Sequence, residues 1–96
     1  MNSETPMRMQ APEVLTGRRV LYTGAAGGLG HQTTLALLAA GAEVFALDRD
    51  HSKNESLRAD TPADLAARLH LLEMDLTDQA ALESRLAEIT RQAPLD

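Results

Sequence analysis

The stretch "TGAAGGLG", Thr23 to Gly30, decides how this chain folds. Half of it is glycine, and it joins two segments of different character. Before it, "RRVLYT" (18–23) ends in β-branched, aliphatic and aromatic residues of the kind that fill strands. After it, "GLGHQTTLALLAA" (28–40) carries apolar residues on most faces and runs into Gly41, a residue suited to closing a helix. The implied order is strand, glycine turn, helix.

Further along, "AEVFALD" (42–48) is a short continuous apolar run, the pattern of a strand buried on both faces. "RDHSKNES" (49–56) is polar and reads as a loop. "TPADLAARL" (61–69) reads as a short helix, with Thr61 as its cap, Pro62 in its first turn and Asp64 at the capping-box offset. "HLLEMD" (70–75) is a third strand. A last helix follows Thr77 as N-cap, with Leu82, Leu86 and Ile89 on one face. Strands alternating with helices specify an α/β fold with a parallel sheet and right-handed crossovers. The expectation is a Rossmann-type doubly wound sheet, a first βαβαβα portion with strand order 3-2-1. Residues 1–13 read as a disordered leader. Residues 14–96 read as one ordered portion with three strands, none following the last helix.

Composition narrows the function classes. The formal net charge of −5 argues against nucleic acid or an anionic membrane as the main partner. There is no cysteine, so disulfides and thiol chemistry are excluded within these residues. No apolar run approaches a membrane span, and the N-terminus lacks a signal-peptide core. These features lead to the expectation of a cytoplasmic protein. His31, His51 and His70 are spread over a helix, a loop and a strand start, without metal-ligand spacing. "GAAGGLGH" (24–31) lacks the Lys-Ser/Thr of a P-loop, which disfavours NTP hydrolysis.

The glycines suit a phosphate. A helix N-terminus has unpaired N–H groups and the positive end of the helix dipole. A diphosphate reaches them only where no side chain intervenes, and Gly24 and Gly28 meet that need. Gly30 lets the helix lie close to the strand. Asp48 ends the second strand 24 residues after Gly24. A carboxylate there accepts two hydrogen bonds from a ribose diol and repels a 2′-phosphate, which favours NAD over NADP. Arg49 is the conflicting signal, since it could reach a 2′-phosphate; beside Asp48 it reads as a loop arginine. Asp75 emerges at the carboxyl edge of the third strand, where it could meet an adenine amino group with the Leu76 backbone lining the pocket. The plainer reading is that Asp75 and Thr77 only cap the next helix.

Together these residues resemble the short-chain dehydrogenase/reductase family. Its Thr-Gly-x-x-x-Gly-x-Gly motif is matched by Thr23, Gly24, Gly28 and Gly30, with Leu29 between the last two. Asp48 matches its NAD-selecting acid, and "DLT" (75–77) matches its adenine-pocket motif. Tyr22 departs from the small aliphatic residue usual there. The resemblance implies an oxidoreductase that moves a hydride between NAD(H) and a small alcohol or ketone, commonly as a homo-oligomer. It also implies a catalytic serine and a Tyr-x-x-x-Lys pair that these residues do not contain. The only tyrosine is Tyr22, followed four residues on by Ala26, and the only lysine is Lys53. The cofactor-binding candidates are therefore Thr23, Gly24, Gly28, Leu29, Gly30, Asp48, Arg49, Asp75 and Leu76, with no catalytic and no metal residue. Two alternatives stay open. A methyltransferase also has a glycine loop and an acid after its second strand. The chain could also be a complete, non-catalytic nucleotide-binding or interaction module. Without a fourth strand, the first strand would be an exposed apolar edge that promotes association.

Overall fold

The computed structural model describes residues 14–96. The leader read at 1–13 lies outside the described residues. The elements run β1 (Arg19–Thr23), α1 (Gly28–Ala39), β2 (Glu43–Asp48), α2 (His51–Asp60), α3 (Ala63–Ala66), β3 (Leu69–Glu73) and α4 (Gln79–Gln92). The three strands form one parallel sheet in the order β1-β2-β3, the expected 3-2-1 arrangement.

Register places Val20, Val44 and Leu69 in one row and Tyr22, Ala46 and Leu71 in another. These side chains point to one face, because successive residues of a strand alternate. Leu38 of α1 and Leu57 of α2 pack with Val44 and Ala46 there. The opposite face presents Phe45 and Leu72, with Ile89 of α4 beside them. Helices thus cover both faces, as a doubly wound sheet requires.

The end of α1 follows from Gly41. Its N–H donates to the Leu38 carbonyl at 3.0 Å and that of Ala42 to Leu37 at 3.1 Å, a Schellman closure with Gly41 at φ +105°. Only a residue without a β-carbon takes that backbone conformation at low cost.

Three local expectations are corrected. The segment 49–56 is not a loop; α2 begins at His51. Asp50 caps it by accepting from the Lys53 N–H at 3.0 Å, and Asn54 and Leu57 form its buried stripe. Polar composition hid this helix, because only one turn of it faces the core. Thr61 does not cap the next helix. Its hydroxyl donates to the Leu57 carbonyl at 2.7 Å and so closes α2, leaving α3 as a single turn after Pro62 without a side-chain cap. Thr77 does not cap α4 either. Asp78 does, accepting from the Ala81 N–H at 3.1 Å, while Thr77 turns back to Asp75.

Arg19 is an unforeseen anchor. It is 8% exposed, and its guanidinium donates to the carbonyls of Ile89 and Ala93 and to Glu43. It also lies 4.9 Å from the centre of the Phe45 ring. A cation at the carboxyl end of α4 meets the negative end of that helix's dipole. Burial would raise the Glu43 pKa, but its bonds to Arg19 and His70 more than offset this and hold it below the ordinary carboxylate value.

Candidate dinucleotide site

The carboxyl edge of the sheet gathers the ends of all three strands. At β1 the chain turns through Gly24 at φ +68°, where a side chain would be strained. The N–H groups of Gly24 and Ala25 both donate to the Leu47 carbonyl, at 2.8 and 3.2 Å, pinning the turn to β2. The buried Thr34 hydroxyl donates to the Ala25 carbonyl at 3.2 Å and fixes the turn to α1. Gly30 has a steric reason: a β-carbon there would fall on the Gly24 carbonyl oxygen. Helix and strand can meet this closely only through glycine.

Gly28 is different. A β-carbon there would meet nothing. It opens α1, and no side chain caps that helix or places an acid in its first turn. The first-turn N–H groups have no intrahelical acceptor. This is an uncapped, positive helix end facing open space, and it suits a diphosphate in both charge and access. Leu29 beside it is 81% exposed.

Asp48 stands at the end of β2. Its carboxylate accepts from the Ala26 N–H at 3.2 Å and from the Asp50 N–H at 3.0 Å. One side chain thus ties the glycine turn to the start of α2 and keeps lone pairs for a further donor. A cavity of about 270 Å³ opens beside it, lined by Gly24, Leu47, Asp48, Arg49, Met74, Asp75 and Leu76. Its volume admits one ring system rather than a drug-sized ligand. Arg49 and Asp75 approach across it, Nη1 to Oδ2 at 3.9 Å. The Thr77 N–H and hydroxyl donate to Asp75 and, with a smaller contribution from Arg49, hold its carboxyl below the usual range. Farther out, His51 meets Glu73 at 2.7 Å, and that carboxylate raises the histidine's pKa.

Of the candidates read from sequence, Gly24, Asp48, Arg49, Asp75 and Leu76 line one slot. Gly28, Leu29 and Gly30 form the adjacent first turn of α1. Thr23 ends β1, paired with Leu47, and does not line the slot. Leu47 and Met74 line it without having been singled out. Each immediately precedes an acid that was, so strand-end position was the available signal. His31 turns to Asp60 at 3.0 Å. A larger hollow of about 600 Å³ lies between the sheet and α4, around Glu43, Phe45 and His70. It sits away from the glycine turn, whereas ligands of open α/β sheets bind outside the carboxyl ends of the strands. Among the described residues no group of His, Asp or Glu is arranged to hold a metal ion, and no helix is long and apolar enough to cross a membrane.

A parallel sheet, a glycine turn entering a helix and an acid at the second strand end define a Rossmann-type fold with a slot for one ring system at its carboxyl edge. The sequence profile described as short chain dehydrogenase matches residues 18–96, and the chain belongs to that family. An L-xylulose reductase of Mesocricetus auratus is 42% identical over 66 residues, covering 69% of this chain and 27% of that protein. A Streptomyces lividans protein named "Probable oxidoreductase" is 46% identical over 70 residues, covering 73% and 24% respectively. The solved structure of a short-chain type dehydrogenase/reductase from Mycobacterium marinum superposes with a TM-score of 0.68 at 27% identity, covering 81% of this chain and 31% of that one. The chain spans about a quarter of the length of these curated relatives.

Proposed function

We propose that residues 14–96 are the dinucleotide-binding portion of an NAD-dependent oxidoreductase. The diphosphate lies on the uncapped first turn of α1 at Gly28 and Leu29. Gly24 leaves room beside it, and Thr23 and Gly30 shape the turn. The adenine enters the slot between Arg49 and Asp75–Leu76, and Asp48 accepts from the adenosine ribose. When bound, NAD supplies the hydride acceptor or donor. These residues orient it through backbone N–H groups and one carboxylate. The Tyr-x-x-x-Lys pair that the family implies is not among these 96 residues. A relative named as a reductase of L-xylulose supports a small polar carbonyl or alcohol as the substrate of the whole protein.

One observation carries the reading. Asp48 is bonded to the glycine turn itself, so the phosphate cradle and the ribose acceptor form one unit. NAD is favoured over NADP because a 2′-phosphate would be forced against this carboxylate, and like charges at close range repel. Calorimetric titration of the protein with NAD and with NADP tests this. NAD is expected to bind at least tenfold more tightly, and Asp48→Ala is expected to erase the difference. Equal or tighter NADP binding by the unsubstituted protein would overturn the NAD assignment.

A further inference from the structure

We infer that Asn54 is a positioning residue that sets the nucleotide preference of the Asp48–Arg49 turn. The inference rests on the dinucleotide reading above and concerns a side chain that reading does not use. Asn54 lies in a stretch whose composition suggests an exposed loop, yet it is 3% exposed on the inner face of α2 beside Leu57. Its Nδ2 donates to the backbone carbonyl of Asp48 at 3.0 Å. Its Oδ1 is buried with no hydrogen-bond partner.

That unpaired oxygen makes asparagine a costly choice, because a buried acceptor left without a donor is destabilising. A leucine would continue the apolar stripe of Leu57 without that cost. The useful half of the amide is therefore Nδ2, and its acceptor is the carbonyl of the proposed ribose-binding residue. Besides the Ala26 N–H on the Asp48 carboxylate and the Lys53 N–H on that of Asp50, three bonds hold the turn from Asp48 to Asp50. The Asp50 N–H donates to the Asp48 carboxylate, Asn54 Nδ2 to the Asp48 carbonyl, and the Asn54 N–H to the Asp50 carbonyl. The second bond fixes the peptide between Asp48 and Arg49 and so the direction in which Arg49 leaves the strand, and it keeps the Asp50 N–H in line with the Asp48 carboxylate. The ion pair to Asp75 cannot do this for Arg49. It spans 3.9 Å with the arginine side chain 77% exposed, and such surface pairs are weak.

With the bond present, the carboxylate faces the ribose and Arg49 stays aligned with Asp75. Without it, that peptide can rotate and carry the Asp50 N–H away from the carboxylate, which the Ala26 N–H alone then holds, and Arg49 becomes free to meet a 2′-phosphate. Removing Asn54 should thus lower NAD affinity and relieve the penalty on NADP together.

The test uses the full chain and measures NAD and NADP binding by calorimetry, with the thermal midpoint of the ligand-free protein as an independent readout. Asn54→Leu has the same branching and no donor. It should lower the NAD-to-NADP affinity ratio about fivefold, the worth of one net hydrogen bond, while unfolding at the same or a higher temperature. Asn54→Ala should lower the ratio similarly and covers the case in which leucine does not fit. An unchanged ratio in both variants would overturn the inference, whatever happens to the midpoint. If Asp48→Ala still alters the ratio in that case, the dinucleotide reading stands and only the role of Asn54 falls. Failure of the unsubstituted protein to bind either nucleotide would overturn both.

Discussion

Two glycines two residues apart, Gly28 and Gly30, do opposite jobs in one turn of helix. Gly30 is required by the fold, since its β-carbon would collide with backbone that cannot yield. Gly30→Ala is expected to cost about 3 kcal/mol, the upper end of an overpacked core substitution, measured by urea denaturation. Gly28 faces open space, and alanine is a better helix former than glycine. Gly28→Ala should leave stability unchanged or slightly raised while weakening NAD binding at least tenfold, measured by calorimetry. Equal losses of stability in the two variants would contradict this division. The sequence marks both positions as glycine but does not separate the two reasons. That separation depends on where the Gly24 carbonyl points, a property of the folded turn. Asp48 was legible as a strand-end acid; its bond to the Ala26 N–H was not, because it links residues 22 apart.

At the scale of elements, long apolar runs were legible and the capping of helices was less so. The strands were found within a residue or two at each end, and the face of Leu82, Leu86 and Ile89 does turn inward, with Ile89 buried. The N-cap of α4 differs from the expected one because two capping residues stand together. Thr77 and Asp78 both suit the position, and Asp75 decides between them by engaging Thr77. Asp78→Ala should therefore destabilise the protein by about 1 kcal/mol, and Thr77→Ala by less, in the same denaturation assay. Helix α2 was missed because its inward stripe contains an asparagine in place of an apolar residue. Its His51 adds a pH dependence. The partner Glu73 raises the histidine's folded-state pKa above its ordinary 6.5. Stability from the pair is fully present below pH 6.5 and is lost as pH rises through the higher folded value. The difference in melting temperature between the protein and His51→Gln should be largest in mildly acid solution and vanish in alkaline solution. A difference that grows with pH would contradict the pairing.

For the whole molecule, helices cover both faces of the sheet, while the outer edges of β1 and β3 pair with no strand among the described residues. Leu38, Leu57, Val44 and Ala46 make a continuous core beneath α1 and α2. Beyond β1, the sheet edge is met at Arg19, whose N–H donates to the Asp96 carboxylate and whose carbonyl accepts from the Asp96 N–H, each at 2.7 Å. The outer edge of β1 past Arg19 faces no strand among the described residues. Such an edge is a template for pairing. These 96 residues expressed alone should self-associate, which light scattering after gel filtration would detect; a monomer at every concentration would contradict this. The central claim is that the glycine turn and the slot beside Asp48 hold one dinucleotide. Hydrogen exchange followed by mass spectrometry, with and without NAD, tests it most directly. Binding should slow exchange at 24–30, 48–50 and 74–77 and leave the hollow around Phe45 and His70 unchanged. Protection at that hollow, or none at the glycine turn, would contradict the account.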